Sequence, residues 1–329
     1  MLEVSPLVEC IVNVSEGRDA DVLAAFAQAI TKVPGCRLLH QDTGAGAHRT
    51  VFSFAGEPEA VFTAAEGIYE VATERIDMRQ HQGEHPRIGA VDVCPFVPIR
   101  GITMEELVAR TQVLGEVLGA RFGIPVFLYE QSASAPHRTN LAAIRKGEYE
   151  GLAARIADPD WQPDYGPALN PKFGATVLGA RPFLIAWNIN LADDVPVSVA
   201  KQLAAKLRGS GSKGQPGLFP GLKAIGWHIP EFGRCQISCN VVDADATDLT
   251  KVYLTAVGLA EALGAKVTGS ELIGLIPEQY LRRAGKAFSF SGDREEEFDM
   301  AVSVLGLDDL GAFDWRERVL EERFLVGNT

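Results

Sequence analysis

An order of strand-like and helix-like patterns that occurs twice constrains the fold of this chain more than any other feature of its sequence. In the first half, Leu23, Phe26 and Ile30 recur at helical spacing after a strand-like run. A second amphipathic helix opens at Pro58, a residue type favoured at the first helical position. The pattern predicts helices at 19–33 and 58–76, with strands at 7–14, 36–39, 50–54 and after residue 88. This β-α-β-β-α-β order is typical of the ferredoxin-like split unit.

The second half of the chain repeats that order. A strand with Asn188 parallels the first strand with Asn13, and a helix follows Pro196. Further along we predict a strand pair, a helix and a short strand, at 221–229, 235–243, 247–263 and 266–268. The length of 329 residues exceeds the ~250 to 300 at which one hydrophobic core stops growing. We therefore predict an α+β sandwich of two ferredoxin-like subdomains, residues 1–180 and 181–329, with the irregular stretch 132–172 leading to the boundary.

Charge and hydropathy limit the classes of partner. The net charge of −12 argues against nucleic acid, because such binding depends on Lys and Arg neutralising phosphates. No apolar run reaches the ~20 residues of a membrane span, so no membrane partner is predicted. The N-terminus lacks a basic start and a cleavable apolar segment, and we predict a cytoplasmic location.

The five cysteines predict buried thiols rather than a metal site. Cys235 and Cys239 are spaced C-x-x-x-C without a companion pair of histidines, which argues against zinc. Reduced, buried cysteines are typical of an intracellular protein.

The stretch from Asp77 to Phe96, DMRQHQGEHPRIGAVDVCPF, carries the densest chemistry in the chain. His81 and His85 would share a helix face and suggest a metal pair, but Gly83 and Pro86 cost roughly 1 and 3 kcal/mol inside a helix. We therefore predict a loop leading into a buried strand. A metal-dependent hydrolase stays an alternative, although the H-E-x-x-H motif is absent.

A glycine-rich segment at 208–221, RGSGSKGQPGLFPG, resembles a phosphate-binding loop only superficially. A Walker loop needs Gly-Lys followed by Ser or Thr, and Lys213 is followed by Gly214. We predict a flexible connection, with a mobile lid over a ligand as the alternative.

Several motifs together resemble the glutamate formiminotransferase family over nearly the whole chain: CIVNVSEGR, DTGAGAHRTVFSFAG, IDMRQHQGEHPRIGAVDVCPFVPIRG, IRKGEYEGL, DYGP and FGATVLGARPFLIAWNINL. The resemblance implies transfer of a formimino group from N-formimino-glutamate to N5 of tetrahydrofolate, in histidine degradation. It also implies two subdomains with facing sheets and outer helices, a folate tunnel between them, and a homodimer. A separate cyclodeaminase would then be needed to close the product ring.

The resemblance also assigns site residues. It implies that the histidine of GEHPR, here His85, is catalytic, and that Asn13 and Asp42 assist it. It places folate binding on the segment Gly166, Pro167, Ala168, Leu169, Asn170, Pro171, Lys172, Phe173 and Gly174. His48 departs from the family pattern, which commonly has Asn before Arg-Thr, so a second imidazole is a candidate for proton transfer.

The chemistry explains why a histidine suits this role. A proton must leave N5 and another must reach the departing nitrogen, and imidazole titrates near neutrality. Asp42 would accept a hydrogen bond from the other ring nitrogen. Tyr165 and Phe173 are candidates to sandwich the pterin ring, with core packing as the other interpretation. Four arginines are candidates for the glutamate carboxylates: Arg49, Arg87, Arg138 and Arg181.

Two alternatives to this function stay open. The same site would also suit formyl transfer between 5-formyltetrahydrofolate and glutamate, with a carbonyl in place of the imine. A folate-binding module without catalysis is the other, although His85, Asp42 and Asn13 are all present.

Overall fold

The computed structural model describes residues 6–212 and 214–325 of the chain. The chain divides into two compact units between Pro182 and Phe183, and the division expected from sequence falls after residue 180. Each unit has its own sheet and its own hydrophobic core. The predicted α+β class with two subdomains is confirmed.

The first unit begins with the predicted β-α-β-β-α-β order. Its elements are β1 (Leu7–Val14), α1 (Ala20–Thr31), β2 (Cys36–Gly44), β3 (Arg49–Gly56), α2 (Pro58–Arg75) and β4 (Val91–Arg100). The strand order β2-β3-β1-β4 is antiparallel throughout, as in a ferredoxin-like unit. Strand β1 lies in the middle, so Asn13 faces Val51 on one side and Val93 on the other.

Two further strands widen this sheet. The chain continues through α3 (Met104–Phe122), β5 (Val126–Leu128), α4 (Leu141–Ile144), α5 (Glu148–Arg155) and β6 (Thr176–Ala180). Strand β6 inserts between β4 and β5 and pairs parallel with both. The stretch 132–172, predicted to be irregular, therefore contains short helices and lies within the first unit.

The two faces of the first sheet differ in character. Because side chains alternate along a strand, Cys10 and Val12 point towards α1 and α2, where they pack with Phe26 and Ile68. Fully burying such a side chain contributes about 1.5–3 kcal/mol. The opposite face is covered near β4, β5 and β6 by apolar residues of α4 and α5. On β1, β2 and β3 that opposite face carries polar side chains, and we call it the polar face.

Local signals read from the sequence fix several helix ends. Thr103 and Glu106 form the predicted capping box at the start of α3. Pro58 occupies the first turn of α2. All five cysteines are free and buried, as predicted.

The second unit repeats the order of the first, as predicted. Its elements are β7 (Ile185–Leu191), α6 (Val197–Leu207), β8 (Leu222–Ile229), β9 (Arg234–Val241), α7 (Leu249–Glu261) and β10 (Val267–Ile273). The antiparallel order β10-β7-β9-β8 matches that of β4-β1-β3-β2. Within the described residues, four more helices follow: α8 (Glu278–Lys286), α9 (Arg294–Leu305), α10 (Trp315–Arg318) and α11 (Leu320–Leu325).

The glycine-rich segment 208–221 is held against the end of α6 by backbone hydrogen bonds. The amide of Leu218 donates to the Lys206 carbonyl, and that of Phe219 to the Leu207 carbonyl, at 2.9 and 3.0 Å. Lys213 lies outside the described residues. Among the helices that are described, none combines the length and apolar character needed to cross a bilayer.

Candidate active site

The loop that carries His85 is anchored to the segment predicted to bind folate. The amides of Met78 and Ala90 donate to the carbonyls of Lys172 and Phe173, both at 2.8 Å. Gly89 forms a β-bridge with Gly174, whose φ is +79°. A Cβ on Gly174 would lie 2.2 Å from the Ile88 carbonyl oxygen, so the two backbones can meet only at glycine. We call this contact the glycine seam.

His85 is half-buried, and its tautomer follows from its hydrogen bond. Its Nδ1 lies 2.8 Å from the carbonyl oxygen of Pro86. Because a carbonyl can only accept, Nδ1 carries the hydrogen and Nε2 carries the lone pair. No partner of Nε2 occurs among residues 6–212 and 214–325. The imidazole thus presents a basic nitrogen.

Burial, followed by the nearby cations Arg49 and Arg145, lowers the pKa of His85 to about 3. Desolvation disfavours the charged imidazolium, and each guanidinium repels it. At neutral pH His85 is therefore a neutral base.

A buried carboxylate organises the cations near His85. Asp92, in the second position of β4, is fully buried and accepts a hydrogen bond from Arg49 Nη1 at 2.6 Å. It also accepts from Arg145 through Nε, at 3.3 Å, and through Nη2. The Ile88 amide donates to its Oδ1 at 3.0 Å. Asp92 thereby ties together β3, the end of α4 and the histidine loop.

The pKa values of this cluster reflect one anion facing two cations. Burial opposes ionisation of Asp92, but Arg145 and Arg49 outweigh it and lower its pKa to about 2. The pKa of Arg49 also falls, to about 10, chiefly because the guanidinium is buried. Both groups are still charged at neutral pH, and the cluster carries a surplus positive charge.

The side-chain oxygen of Asn13 forms its hydrogen bonds with Arg49 and not with His85. Its Oδ1 accepts from Arg49 Nε at 3.1 Å and from Nη2 at 2.6 Å. Its Nδ2 donates to the Ile11 carbonyl at 2.9 Å. With Asp92 on Nη1, each nitrogen of Arg49 is engaged. Asn13 therefore sets the orientation of that guanidinium.

Asp42 lies on the polar face in the same row as Asn13. Asp42 faces Val51 across β2 and β3, and Val51 faces Asn13 across β3 and β1. Two strand spacings separate the Asp42 and Asn13 backbones by about 10 Å. The bond predicted from the His85 ring to Asp42 is replaced in the structure by the bond from Nδ1 to Pro86. Any other assistance from Asp42 stays a prediction.

The other predicted arginines differ from Arg49. Arg87 uses Nε, Nη1 and Nη2 on His81, Glu148 and Glu150, with its shortest contact 2.6 Å to Glu150. Arg87 is thus held by protein carboxylates, and its role as a glutamate ligand stays a prediction.

Arg138 and Arg181 are also held by the protein. Arg138 pairs with Asp164 at 3.0 Å and also donates to the Asp160 carbonyl. Arg181 is buried and donates to the Pro182 carbonyl at 2.9 Å. Burial raises the pKa of Tyr129, and the nearby Arg181 guanidinium opposes that rise. Of the four candidates, Arg49 is the one that directly influences His85.

His48 and His81 form a stacked pair behind the loop. Their ring centroids are 4.3 Å apart, and His81 Nε2 lies 3.0 Å from the His48 carbonyl. Arg87 Nε donates to His81 Nδ1 at 3.3 Å. Both ring nitrogens of His81 are therefore engaged, which disfavours the alternative of a metal pair with His85. His48 contacts Glu16 through Nε2 at 3.2 Å and the Gln82 carbonyl through Nδ1 at 2.9 Å.

The segment Gly166–Gly174 has an exposed and a buried part. Gly166, Pro167, Ala168 and Leu169 are exposed. Asn170 braces the turn, since its Nδ2 donates to the Gly123 carbonyl and its Oδ1 accepts from the Phe173 amide. Phe173 is buried and stacks on Tyr69, which favours the core-packing interpretation of this ring.

Sequence reasoning missed Arg145 and the role of Asp92. A charged residue inside the apolar run VDVCPF was a usable signal, because a buried carboxylate needs cationic partners. Arg145 is the second residue of IRKGEYEGL and directly follows the four-residue helix α4. Nothing in the sequence around it indicates a buried ionic contact. Its contact with Asp92 spans 53 residues of sequence.

Two ferredoxin-like units and a histidine beside buried arginines define a two-subdomain α+β protein with one candidate site in its first unit. Residues 7–181 match the N-terminal subdomain of the formiminotransferase domain, and residues 186–325 match the formiminotransferase domain. This chain belongs to the formiminotransferase family.

Individual relatives agree with that assignment. The chain is 44% identical over 322 residues to the formimidoyltransferase-cyclodeaminase of Gallus gallus, covering 96% of this chain and 59% of that protein. It is 38% identical over 320 residues to the glutamate formimidoyltransferase of Streptococcus pyogenes serotype M1, covering 97% and 99%. The enzyme of that name from Thermoplasma acidophilum is 36% identical over 284 residues, covering 86% and 92%. The chain thus spans about three fifths of the animal relatives.

Proposed function

We propose that this chain is a glutamate formimidoyltransferase, which moves the formimino group of N-formimino-L-glutamate to N5 of tetrahydrofolate. Family membership supports the reaction class, and two relatives of similar length carry that name. The observation that carries the proposal is the neutral His85, whose Nε2 has no partner among the described residues, beside the folate-binding segment that the family resemblance implies. Tetrahydrofolate is then a co-substrate.

The proposed reaction needs two proton transfers and no redox step. N5 attacks the carbon of the protonated formimino group, so an N5–C bond forms, the C=N π pair moves to the terminal nitrogen, and N5 acquires a positive charge. His85 Nε2 takes the N5 proton. The imidazolium then returns the proton to the glutamate nitrogen, and as the bond from that nitrogen to the carbon breaks, the lone pair of the terminal nitrogen restores the C=N bond of the formimino group on N5. One group therefore serves as base and then as acid.

The hydrogen bond to Pro86 assists both steps. It holds the ring in one tautomer and orientation, and the carbonyl dipole stabilises the imidazolium as it forms. Asp42 and Asn13 are proposed as supporting residues, Asn13 through its hold on Arg49. The exposed residues Gly166–Leu169 are proposed to contact folate, next to the glycine seam.

The assay mixes the protein with tetrahydrofolate and N-formimino-glutamate and follows the absorbance of the folate. His85→Ala should lower turnover about 10²- to 10⁴-fold, the usual contribution of a general acid–base group. His137→Ala is the matched control, because His137 is an exposed histidine of the same unit. Unchanged turnover in folded His85→Ala protein would remove the assignment.

Two other functions are outcomes of the same assay. If 5-formyltetrahydrofolate and glutamate react faster than the formimino pair, the site is a formyl transferase. If tetrahydrofolate binds without turnover of either donor, the chain is a folate-binding protein. A homodimer, a separate cyclodeaminase, a folate tunnel between the subdomains and a cytoplasmic location stay predictions.

A further inference from the structure

Arg145 occupies an unusual position for a residue in a short connection between helices. It follows α4 directly, and Gly147, at φ +87°, turns the chain into α5. Its side chain is 15% exposed and reaches back to β4, where Nε and Nη2 contact Asp92. Nη1 has no partner within the described part of the chain. A guanidinium held by one edge leaves its other donors available.

The charges around this guanidinium do not balance. Asp92 is one carboxylate, and both Arg49 and Arg145 pair with it. Three other acids of the region pair with other groups: Glu148 and Glu150 with Arg87, and Glu16 with His48. A buried charge without a counter-charge is costly. This site is therefore suited to an anion, although the chain carries a net charge of −12.

The geometry of the proposed substrate identifies which anion belongs there. In N-formimino-glutamate the nitrogen that receives the proton is bonded to the α-carbon, which also bears the α-carboxylate. Standard bond lengths place that carboxyl carbon about 2.5 Å from the nitrogen. A His85 Nε2 within hydrogen-bond reach of the nitrogen therefore has the α-carboxylate close to it. The γ-carboxylate is several bonds further away.

We propose that Arg145, together with Arg49, binds the α-carboxylate of the formimino-glutamate substrate and of the glutamate product. This inference rests on the proposed function and adds the residue that selects the amino-acid half of the substrate. Arg49 contributes mainly charge, since each of its nitrogens is already engaged. Arg145 contributes the free edge of its guanidinium, a donor geometry suited to a carboxylate.

Binding of the anion also affects the base. The groups that act on His85 are Arg49, Arg145, Asp92 and the Pro86 carbonyl. A carboxylate beside the two arginines offsets their repulsion of an imidazolium, so the pKa of His85 rises towards the range useful for proton transfer. The carboxylate of the substrate would then supply the negative charge that offsets the two arginines beside His85.

The experiment compares three donors: N-formimino-glutamate, its α-amide N-formimino-isoglutamine, and its γ-amide N-formimino-glutamine. Wild-type protein should lose roughly 10- to 150-fold in kcat/KM on the α-amide, the usual range for one hydrogen-bonded charged contact. Arg145→Gln should lose a similar factor on N-formimino-glutamate and show little further loss on the α-amide. Arg121→Gln, which removes an exposed arginine of α3, should behave as wild type.

Binding measurements separate this inference from the proposed function. Calorimetry should show glutamate binding to wild type and weakly to Arg145→Gln, with tetrahydrofolate binding unchanged. Arg145→Lys keeps a charge beside Asp92 and serves if Arg145→Gln does not fold; it should keep only part of the α-amide discrimination. Full α-amide discrimination in either folded variant, or greater sensitivity to the γ-amide in wild type, overturns the assignment. An inactive wild type would instead refute the proposed function.

Discussion

Asp92→Asn tests whether the buried carboxylate holds the site together. The substitution keeps the size of the side chain and removes its negative charge. Asn can still accept from the Ile88 amide, which donates to Oδ1 at 3.0 Å. Arg49 and Arg145, which are 10% and 15% exposed, lose their shared anion. We expect the folded state to be destabilised and the surplus positive charge to increase.

Two estimates bracket the loss of stability. An Asn resembles a protonated Asp, and the fall of the Asp92 pKa from 3.8 to about 2 corresponds to about 2 kcal/mol. Removal of one partner from a buried ion pair typically costs about 3–5 kcal/mol. The lower figure already includes relief of the desolvation of Asp92, so the two define a range. For a unit of this size that predicts a fall in Tm of roughly 5–15 °C.

The assay is thermal and denaturant unfolding followed by circular dichroism, with Asp77→Asn as the control. Asp77 also has a pKa lowered to about 2, chiefly by its hydrogen bond to Arg79, but this pair is solvent-exposed. Screening by water should make its loss of stability much smaller than that of Asp92→Asn. Equal losses in the two variants would refute the role assigned to burial.

Low pH should reproduce the effect of Asp92→Asn. The pKa of Asp92 is lower in the folded state than in the unfolded chain. Its contribution to stability is therefore complete above about pH 4 and is lost as the pH falls towards 2. The variant should show a shallower loss of stability than wild type over that interval.

Three further predictions concern backbone, capping and titration. Gly174→Ala should destabilise the protein by more than about 1 kcal/mol, because its Cβ would meet Ile88, while Gly151→Ala in α5 should be neutral or slightly stabilising; urea unfolding measures both. Thr103→Ala should cost about 1 kcal/mol through loss of the capping box of α3, as measured by Tm. His85 should titrate far below 6.5 by NMR; because the folded state then binds fewer protons than the unfolded chain, stability falls as the pH drops from about 6.5 towards 3, and a ring pKa near 6.5 would contradict this.

Much of the fold could be predicted because its signals are local. The periodicity of Leu23, Phe26 and Ile30, the proline at 58 and the capping box at 103 lie within single elements. Strand β6 was missed because TVLGA is short and contains a glycine, a residue type that weakens a strand pattern. It is a strand because β4 and β5 pair on either side of it, and both are distant in sequence.

The candidate site was less predictable than the fold. His85 could be selected because Gly83 and Pro86 exclude a helix and leave it on a loop. The choice among the arginines could not be made, since it depends on which carboxylates each one meets. Glu148 and Glu150 lie more than 60 residues from Arg87. No pattern near Arg145 indicates that it reaches Asp92.

The glycine seam joins the histidine loop to the Gly166–Gly174 turn, so that the two segments move as one unit. A ligand bound to the turn would restrict the motion of the histidine loop through the backbone hydrogen bonds that join the two segments, without contacting the His85 ring. The amides of Met78 and Ala90 donate the hydrogen bonds that join the loop to the turn. Hydrogen exchange at both amides should therefore slow when tetrahydrofolate is added. Binding of tetrahydrofolate would therefore restrict the motion of His85, the residue that transfers a proton to the leaving nitrogen of the other substrate.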